Sequence, residues 1–348
     1  MTGHERELLT AAEVRAAIAR WGIPRPVVAE PIGRGSRQSA KSRLRTPMGS
    51  YLIKRRDPRK SVPHVVEFVH RFQMHLAGAG VPVARIVPAQ DGATAAVLPD
   101  GTYELFDWVD GTRWRCSLDD AAEVGVAVGE LLRASRAFDP GARPPIGSFH
   151  ASASLGHAAE LVVRRVLRID ADTDAAAVER DVRAIAAAAG RAAAQARSAG
   201  LDAAPRLCIH GDMHPGNVLF DGERVRAILD FDGARLDWRA SEAANAAMHF
   251  ANDPIAGRPA AEWSPELSLA RAAGLVAGLE RGMGESLTPA ERRALPWLMI
   301  EACALESIVP IARTGRFSQL RADAFLPFIR RKLEWIESNA HEIVRLGA

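Results

Sequence analysis

Apolar and polar positions alternate in short runs over the first hundred residues and recur at helical spacing further on. Residues 27–32 form a short apolar stretch that runs into Gly33-Arg34-Gly35-Ser36, a turn able to close a pair of strands. Ser50-Tyr51-Leu52-Ile53-Lys54 favours a strand and ends on a lysine. Across 64–77, Val65, Val66, Phe68, Val69, Phe72 and Leu76 fall on one helical face, with Pro63 suited to the first turn and Gly78 and Gly80 to the end. Strands are expected at 81–87, 95–98 and 103–109, parted by Asp91-Gly92 and Asp100-Gly101. From Ser117-Leu118-Asp119-Asp120, a candidate capping box, the pattern is helical to about Phe138. Residues 155–200 are rich in alanine and arginine, with Leu161, Val162, Val166, Leu167 and Ile185 supplying an apolar face. Short apolar runs at 207–209, 218–220 and 225–229 interrupt the helices, the last two joined by Asp221-Gly222, and helical periodicity resumes from Ser241.

A chain of 348 residues is too long for one compact core and suits two lobes. Its 45 Lys and Arg stand against 42 Asp and Glu, an excess too small for a nucleic-acid footprint. Cys116, Cys208 and Cys303 lie far apart without CxxC spacing, against a disulfide framework or cysteine-rich zinc site. The N-terminus carries acids and lacks the apolar core of a signal peptide, and no uninterrupted apolar run approaches 18 residues. The expectation is a cytoplasmic protein with neither a nucleic-acid nor a membrane partner.

The sharpest segment is Ile209-His210-Gly211-Asp212-Met213-His214-Pro215-Gly216-Asn217-Val218-Leu219, polar groups on a short loop between apolar runs. Leu229-Asp230-Phe231-Asp232-Gly233 follows the next strand, and a hairpin would bring Asn217 and Asp230 to the same end. One amide oxygen and one carboxylate make a hard-oxygen site suited to Mg²⁺.

These residues resemble the catalytic core of the aminoglycoside phosphotransferase and choline kinase superfamily, the small-molecule branch of the protein-kinase-like fold. The HxDxxxxN spacing is the protein-kinase one with Gly211 in place of the usual Arg, and Leu229-Asp230-Phe231-Asp232 looks like the metal-binding segment of small-molecule kinases. The resemblance implies an α+β, two-lobed protein-kinase-like fold with a small β-rich N-lobe (1–103), an interlobe connector (104–111) and a large, mostly helical C-lobe (112–348). It makes Asp212 the catalytic base or acceptor-orienting group, and Asn217 and Asp230 the Mg²⁺ ligands. His210 becomes an organiser of the loop. Lys54 matches the strand lysine that reaches the ATP phosphates, and Glu67 on the next helix its expected partner. Gly33, Gly35 and Ser36 occupy the place of the phosphate-covering loop, while Phe106 and Trp108 lie on the connector whose backbone would bind adenine. Among the departures, Glu242 occupies the place about a dozen residues after Asp230 where an Asp usually anchors the helix that follows the loop.

The implied activity is Mg-ATP-dependent phosphorylation of a small hydroxylated molecule. Asp107, Asp110, Asp232 and Asp237 lean toward a cationic acceptor, to which Glu301 or Glu306 could add. Two alternatives stand beside this one. The first is a metal-dependent phosphoester hydrolase using His210, Asp212, His214 and Asp230; the second is a nucleotide-binding pseudokinase.

Overall fold

The computed structural model describes residues 7–24, 28–33, 35, 38–254 and 257–347. The chain folds as two compact units, neither of them a continuous stretch of sequence. The first comprises residues 1–114, 134–145 and 216–235, and the second 115–133, 146–215 and 236–348.

In the first unit, β1 (Val28–Pro31), β2 (Lys41–Thr46), β3 (Gly49–Arg55), β4 (Ala96–Leu98) and β5 (Gly101–Asp107) make one antiparallel sheet in the order β1-β2-β3-β5-β4. Side chains alternate along each strand. One face carries Leu44, Tyr51, Ile53, Tyr103 and Leu105, packed with Val14, Ala17 and Ile18 of α1 (Ala11–Ile18) and with Trp21. Helix α1 starts in a reciprocal cap between Thr10 and Glu13. By the same alternation the other face carries Lys41, Lys54 and Glu104. Lys54 stands directly opposite both of the others across the ladder.

Helix α2 (Pro63–Gly78) has Pro at its start, as the sequence indicates, and buries Val66, Phe68, Val69, His70, Phe72, Gln73 and Leu76. The strand expected at 81–87 does not form. Pro82 removes a backbone donor from that stretch and Pro88 follows directly after it, and the stretch makes only isolated bridges, Val83 to Ile228 and Ile86 to Phe106. The hairpin predicted near 220 does form, as β7 (Val218–Asp221) and β8 (Arg224–Ile228), with Val218 opposite Ile228. Its tip is Asp221-Gly222, and Gly222 takes the positive φ that such a turn needs.

The second unit is mostly helical: α3 (Leu118–Ser135), α4 (Ala153–Ile169), α5 (Ala175–Ser198), α6 (Arg239–Ala251), α7 (Leu269–Met283), α8 (Pro289–Thr314), α9 (Ala322–Ser338) and the short α10 (Ala340–Ile343). Helices α3 and α7 approach backbone to backbone. A Cβ on Gly125 would lie 2.0 Å from the Leu275 carbonyl oxygen, and one on Gly278 would lie 2.1 Å from that of Ala122. No side chain fits at either position, so these glycines set the helix separation. Helix α8 is long and apolar enough to cross a bilayer by length and composition alone, yet 72% of that stretch is buried, as befits a core helix. A pair of short strands, β6 (Arg206–Ile209) and β9 (Arg235–Trp238), frames the polar loop that follows residue 209.

The architecture is therefore α+β, with a five-stranded antiparallel sheet in the N-terminal part and a mostly helical C-terminal part.

Candidate active site

The first unit gathers a dense charged cluster on the polar face of its sheet. Lys54 Nζ lies 2.7 Å from Asp232 Oδ1, 3.1 Å from Asp230 Oδ1 and 3.7 Å from Glu104 Oε2, and the lysine is only 3% exposed. Burial disfavours its charged form, but Asp230, Asp232 and Glu104 together outweigh that and hold the ammonium firmly protonated. Lys41 Nζ takes the second oxygen of Asp230 at 2.9 Å. Burial would raise the Asp230 carboxyl, and the ammonium groups of Lys54 and Lys41 instead hold it well below the ordinary carboxylate range. Asp230 sits in the left-handed region at φ 62°, a conformation that costs a non-glycine residue about 1–3 kcal/mol and that presents its carboxylate at the end of β8.

Behind Lys54 lies Glu104, with no exposed surface. Its Oε1 accepts from Arg56 and lies 2.7 Å from His70 Nε2, while its Oε2 makes no hydrogen bond and faces Lys54. Burial pushes the Glu104 carboxyl up, and Lys54, Arg56 and His70 more than reverse this. Arg56 also reaches Asp232 at 3.0 Å. Glu67 does not hold Lys54: it is exposed on α2, and the carboxylates around the lysine are Asp232, Asp230 and Glu104. Helical periodicity explains the difference. Glu67 falls between the buried Val66 and Phe68, and His70, three residues on, is the α2 side chain that turns inward to Glu104.

Asn217 is buried just before β7, and its carbonyl accepts the Leu229 amide at 2.8 Å, so the hairpin does place Asn217 and Asp230 at one end. The Asn217 amide and the Asp230 carboxylate, the latter ion-paired with Lys41 and Lys54, are hard oxygen donors of the kind Mg²⁺ takes, although among the described residues no group of three or more His, Cys, Asp or Glu is arranged to hold a metal. Of the turn residues, Gly35 has φ +78° and Gly33 has open space around it; Ser36 lies outside the described residues. Phe106 is buried on β5. The Asp107 amide donates to Arg85 and the Trp108 amide to Ser50, so those two N–H groups serve the unit's own backbone rather than an incoming base. Trp108 lies beneath the Arg43 guanidinium, 4.3 Å from its ring centre.

The second unit holds the loop that begins at His210. His210 is fully buried, and its Nδ1 accepts the Asp212 amide at 3.3 Å. Glu242 on α6, also buried, accepts the Gly211 amide at 2.8 Å, so this acid ties α6 to the loop at 210–211 rather than only anchoring its own helix. Gly211 has φ +74°. The loop leaves the Asp212 carboxylate about half exposed, with His214 Nε2 4.0 Å from it. The His214 ring packs beside His249 of α6 at 5.9 Å between centres, and His249 Nε2 lies 2.7 Å from Glu306 Oε2 on α8. Asn245 donates to the other Glu306 oxygen at 2.8 Å. Burial would lower the His249 imidazole, but Glu306, helped by Asp212, raises it; Glu306 is lowered in turn, chiefly by His249 acting against burial.

Sequence reasoning named Glu306 but missed His249, which one His within an alanine-rich helix gives little means to find. Glu301 takes no part in this group: it is buried and binds His150 Nδ1 at 2.8 Å and the Ala151 amide. The acidic lean also loses carriers. Asp232 is paired with Lys54 and Arg56, Asp110 with Arg43 and the Trp108 indole, and Asp237 is buried. Lys41 and Glu104 carried no motif and were not anticipated.

The fold is that of a kinase-like phosphotransferase. The sequence model of the phosphotransferase enzyme family matches residues 28–293, and the chain belongs to that family. Membership in a phosphotransferase family favours phosphoryl transfer over the hydrolase chemistry considered from sequence. No curated protein matches the sequence. Among solved structures, an amicoumacin kinase bound to AMP-PNP, Ca²⁺ and its ligand superposes with a TM-score of 0.68 at 13% identity, covering 95% of this chain and 94% of that one. A microcompartment-associated aminopropanol kinase gives 0.69 at 16%, covering 97% and 100%. A spectinomycin phosphotransferase with ADP and spectinomycin gives 0.61 at 14%, covering 97% and 100%.

Proposed function

We propose that the protein transfers the γ-phosphoryl group of ATP to a hydroxyl of a small, amine-bearing molecule, with Mg²⁺ as the metal. The observation that carries this reading is the Lys54–Asp230–Asp232 cluster: a strand lysine and two carboxylates held together at the end of the hairpin that also bears Asn217. Nucleotides bound to the structural neighbours, AMP-PNP in one and ADP in another, support ATP as the donor.

In this mechanism Asn217 and Asp230 hold the metal, which when bound neutralises charge on the phosphate oxygens. Lys54 binds the phosphates as a fixed cation, kept in place by Glu104. Asp212 accepts a hydrogen bond from the acceptor hydroxyl at its exposed carboxylate and takes up the proton as the oxygen attacks. His210 and Glu242 fix the loop that presents Asp212, so its position is set before substrate arrives. Catalysis then rests mostly on positioning and charge.

For the acceptor, Asp212 and Glu306 supply two acids, set against the His249 imidazole and the nearby Lys332 ammonium, and the half-exposed Asp212 carboxylate is the acid open to an incoming amine. The aminopropanol kinase among the structural neighbours supports an amino alcohol. The test is calorimetric titration of ATP with and without Mg²⁺, in the wild type and in Asp230→Ala, followed by a coupled ADP assay over amino alcohols and aminoglycosides. Mg²⁺-enhanced binding that Asp230→Ala loses, with turnover on an amine-bearing alcohol, is the expected result. A wild type that binds no ATP under either condition would end the proposal.

A further inference from the structure

We propose that Lys41 is a second phosphate-binding lysine, acting beside Lys54 on the triphosphate of the nucleotide. The inference rests on the kinase reading above and adds a residue that no motif marks.

Lys41 and Lys54 are direct cross-strand partners on β2 and β3, so their side chains leave the same face of the sheet side by side. Like charges placed opposite one another in a ladder are destabilising, and a sheet gains nothing from such a pair on its own account. Here the pair is reconciled by one carboxylate. Lys41 Nζ binds Asp230 Oδ2 at 2.9 Å and Lys54 Nζ binds Asp230 Oδ1 at 3.1 Å, so two ammonium groups divide the two oxygens of a single acid. Lys41 is also largely buried, its side chain 12% exposed, and burying an ammonium is costly unless an anion meets it.

Two features point to a ligand. The first is the turn above. Gly35 has φ +78°, and a Cβ there would lie 3.2 Å from Lys41 Nζ, so the absence of a side chain leaves the ammonium its room beneath the candidate phosphate-covering turn. The second is the charge balance of the cluster, in which Lys41, Lys54 and Arg56 face Asp230, Asp232 and Glu104. Lys54 keeps Glu104 as a fixed partner whatever happens to Asp230, whereas the only carboxylate in contact with Lys41 among the described residues is Asp230. If Asp230 serves a metal, Lys41 is the cation left needing an anion, and a polyphosphate supplies one.

Lys41→Met keeps most of the stem and removes the charge. With Mg²⁺ present, ATP affinity should fall at least tenfold while adenosine, which has no phosphates, binds as it does to the wild type. Lys41→Arg should recover most of the ATP affinity, and the ATP affinity of Lys41→Met should respond less steeply to added salt. An ATP affinity equal to wild type in Lys41→Met would overturn the inference and leave the kinase reading standing. So would an equal loss for ATP and adenosine, which marks structural damage. If Lys41→Met fails to fold, Lys41→Gln is read by the same two ligands. A wild type that binds no ATP removes the kinase reading and this inference with it.

Discussion

The two charged groups of this protein are built on opposite terms. In the first unit Lys54, Arg56, Glu104 and His70 are each almost wholly buried; the charges of Lys54, Arg56 and Glu104 are met by other protein charges at short range, and His70 lies within hydrogen-bond distance of Glu104. In the second, Asp212, His214, His249 and Glu306 stay a quarter to a half exposed, although His249 and Glu306 also meet at 2.7 Å. A buried network fixes its members and suits a constant task, such as receiving the same nucleotide in every turnover. A half-open group keeps polar atoms accessible to a molecule that must come and go. The first should therefore fail by losing stability and nucleotide affinity, the second by losing turnover.

The largest effect expected is at Asp212. Asp212→Asn removes the proposed proton acceptor from an already exposed site, so stability should hold while kcat drops about 10²–10⁴-fold, the usual reach of general acid–base catalysis. ATP affinity by calorimetry should be unchanged. Near-normal turnover would remove Asp212 from the reaction and blur the contrast between the two groups.

Glu104 should show the opposite signature. Glu104→Leu leaves Arg56 and Lys54 short of a buried counter-charge and His70 short of a hydrogen-bond partner, and breaking one side of such a network costs about 3–5 kcal/mol. Urea unfolding measures that loss directly. Glu104→Gln keeps the shape and the Arg56 contact, so it should lose less stability but still weaken ATP binding through Lys54. A Glu104→Leu variant as stable as wild type would mean that the buried charges add nothing to the fold.

These predictions differ in how far the sequence foretold them. The placement of Asp212 on a short loop and of Asn217 and Asp230 at one end of a hairpin was legible, because local spacing translates into local geometry. The helix at 63–78 was legible for the same reason, through its apolar period. Glu104 and Lys41 were not. They meet Lys54 only through the strand order β2-β3-β5, and neither β2, with its sequence Lys-Ser-Arg-Leu-Arg-Thr, nor its register announces itself by hydrophobicity. The run at 81–87 misled in the other direction, since its apolar residues look like a strand while Pro82 within it and Pro88 directly after it deny it a ladder.

A smaller effect follows from pH in the second unit. The folded state holds the His249 proton more tightly than the unfolded chain, whose imidazole titrates near 6.5. The stability this contributes is complete below pH 6.5 and is lost as pH rises through the raised folded value. Glu306 works in the other sense: its folded value lies below the unfolded 4.5, so its contribution is present above pH 4.5 and is lost as pH falls. Between these limits the pair is intact. Thermal melts from pH 5.5 to 9 should show a decline on the alkaline side that His249→Asn flattens. An unchanged alkaline slope in that variant would show that His249 is not the titrating group.

The smallest effect discriminates most between sequence and structure. Glu67 is the residue a kinase-like pattern nominates to hold the strand lysine, and it lies on the right helix. A helix turn of 100° per residue decides the matter: with Val66 and Phe68 buried on either side of it, position 67 faces out, and His70 takes the inward place. Glu67→Ala should then leave stability within about 0.5 kcal/mol and ATP affinity as in the wild type, as expected of an exposed helical site. His70→Ala should cost more, because it strips a partner from the buried Glu104. If Glu67→Ala weakened ATP binding while His70→Ala did not, α2 would have to turn about its axis when nucleotide binds, and Glu104 would be only a resting partner for Lys54. Equal indifference of ATP affinity to both would instead place the control of Lys54 wholly within the sheet, in the ladder that sets Glu104 opposite it.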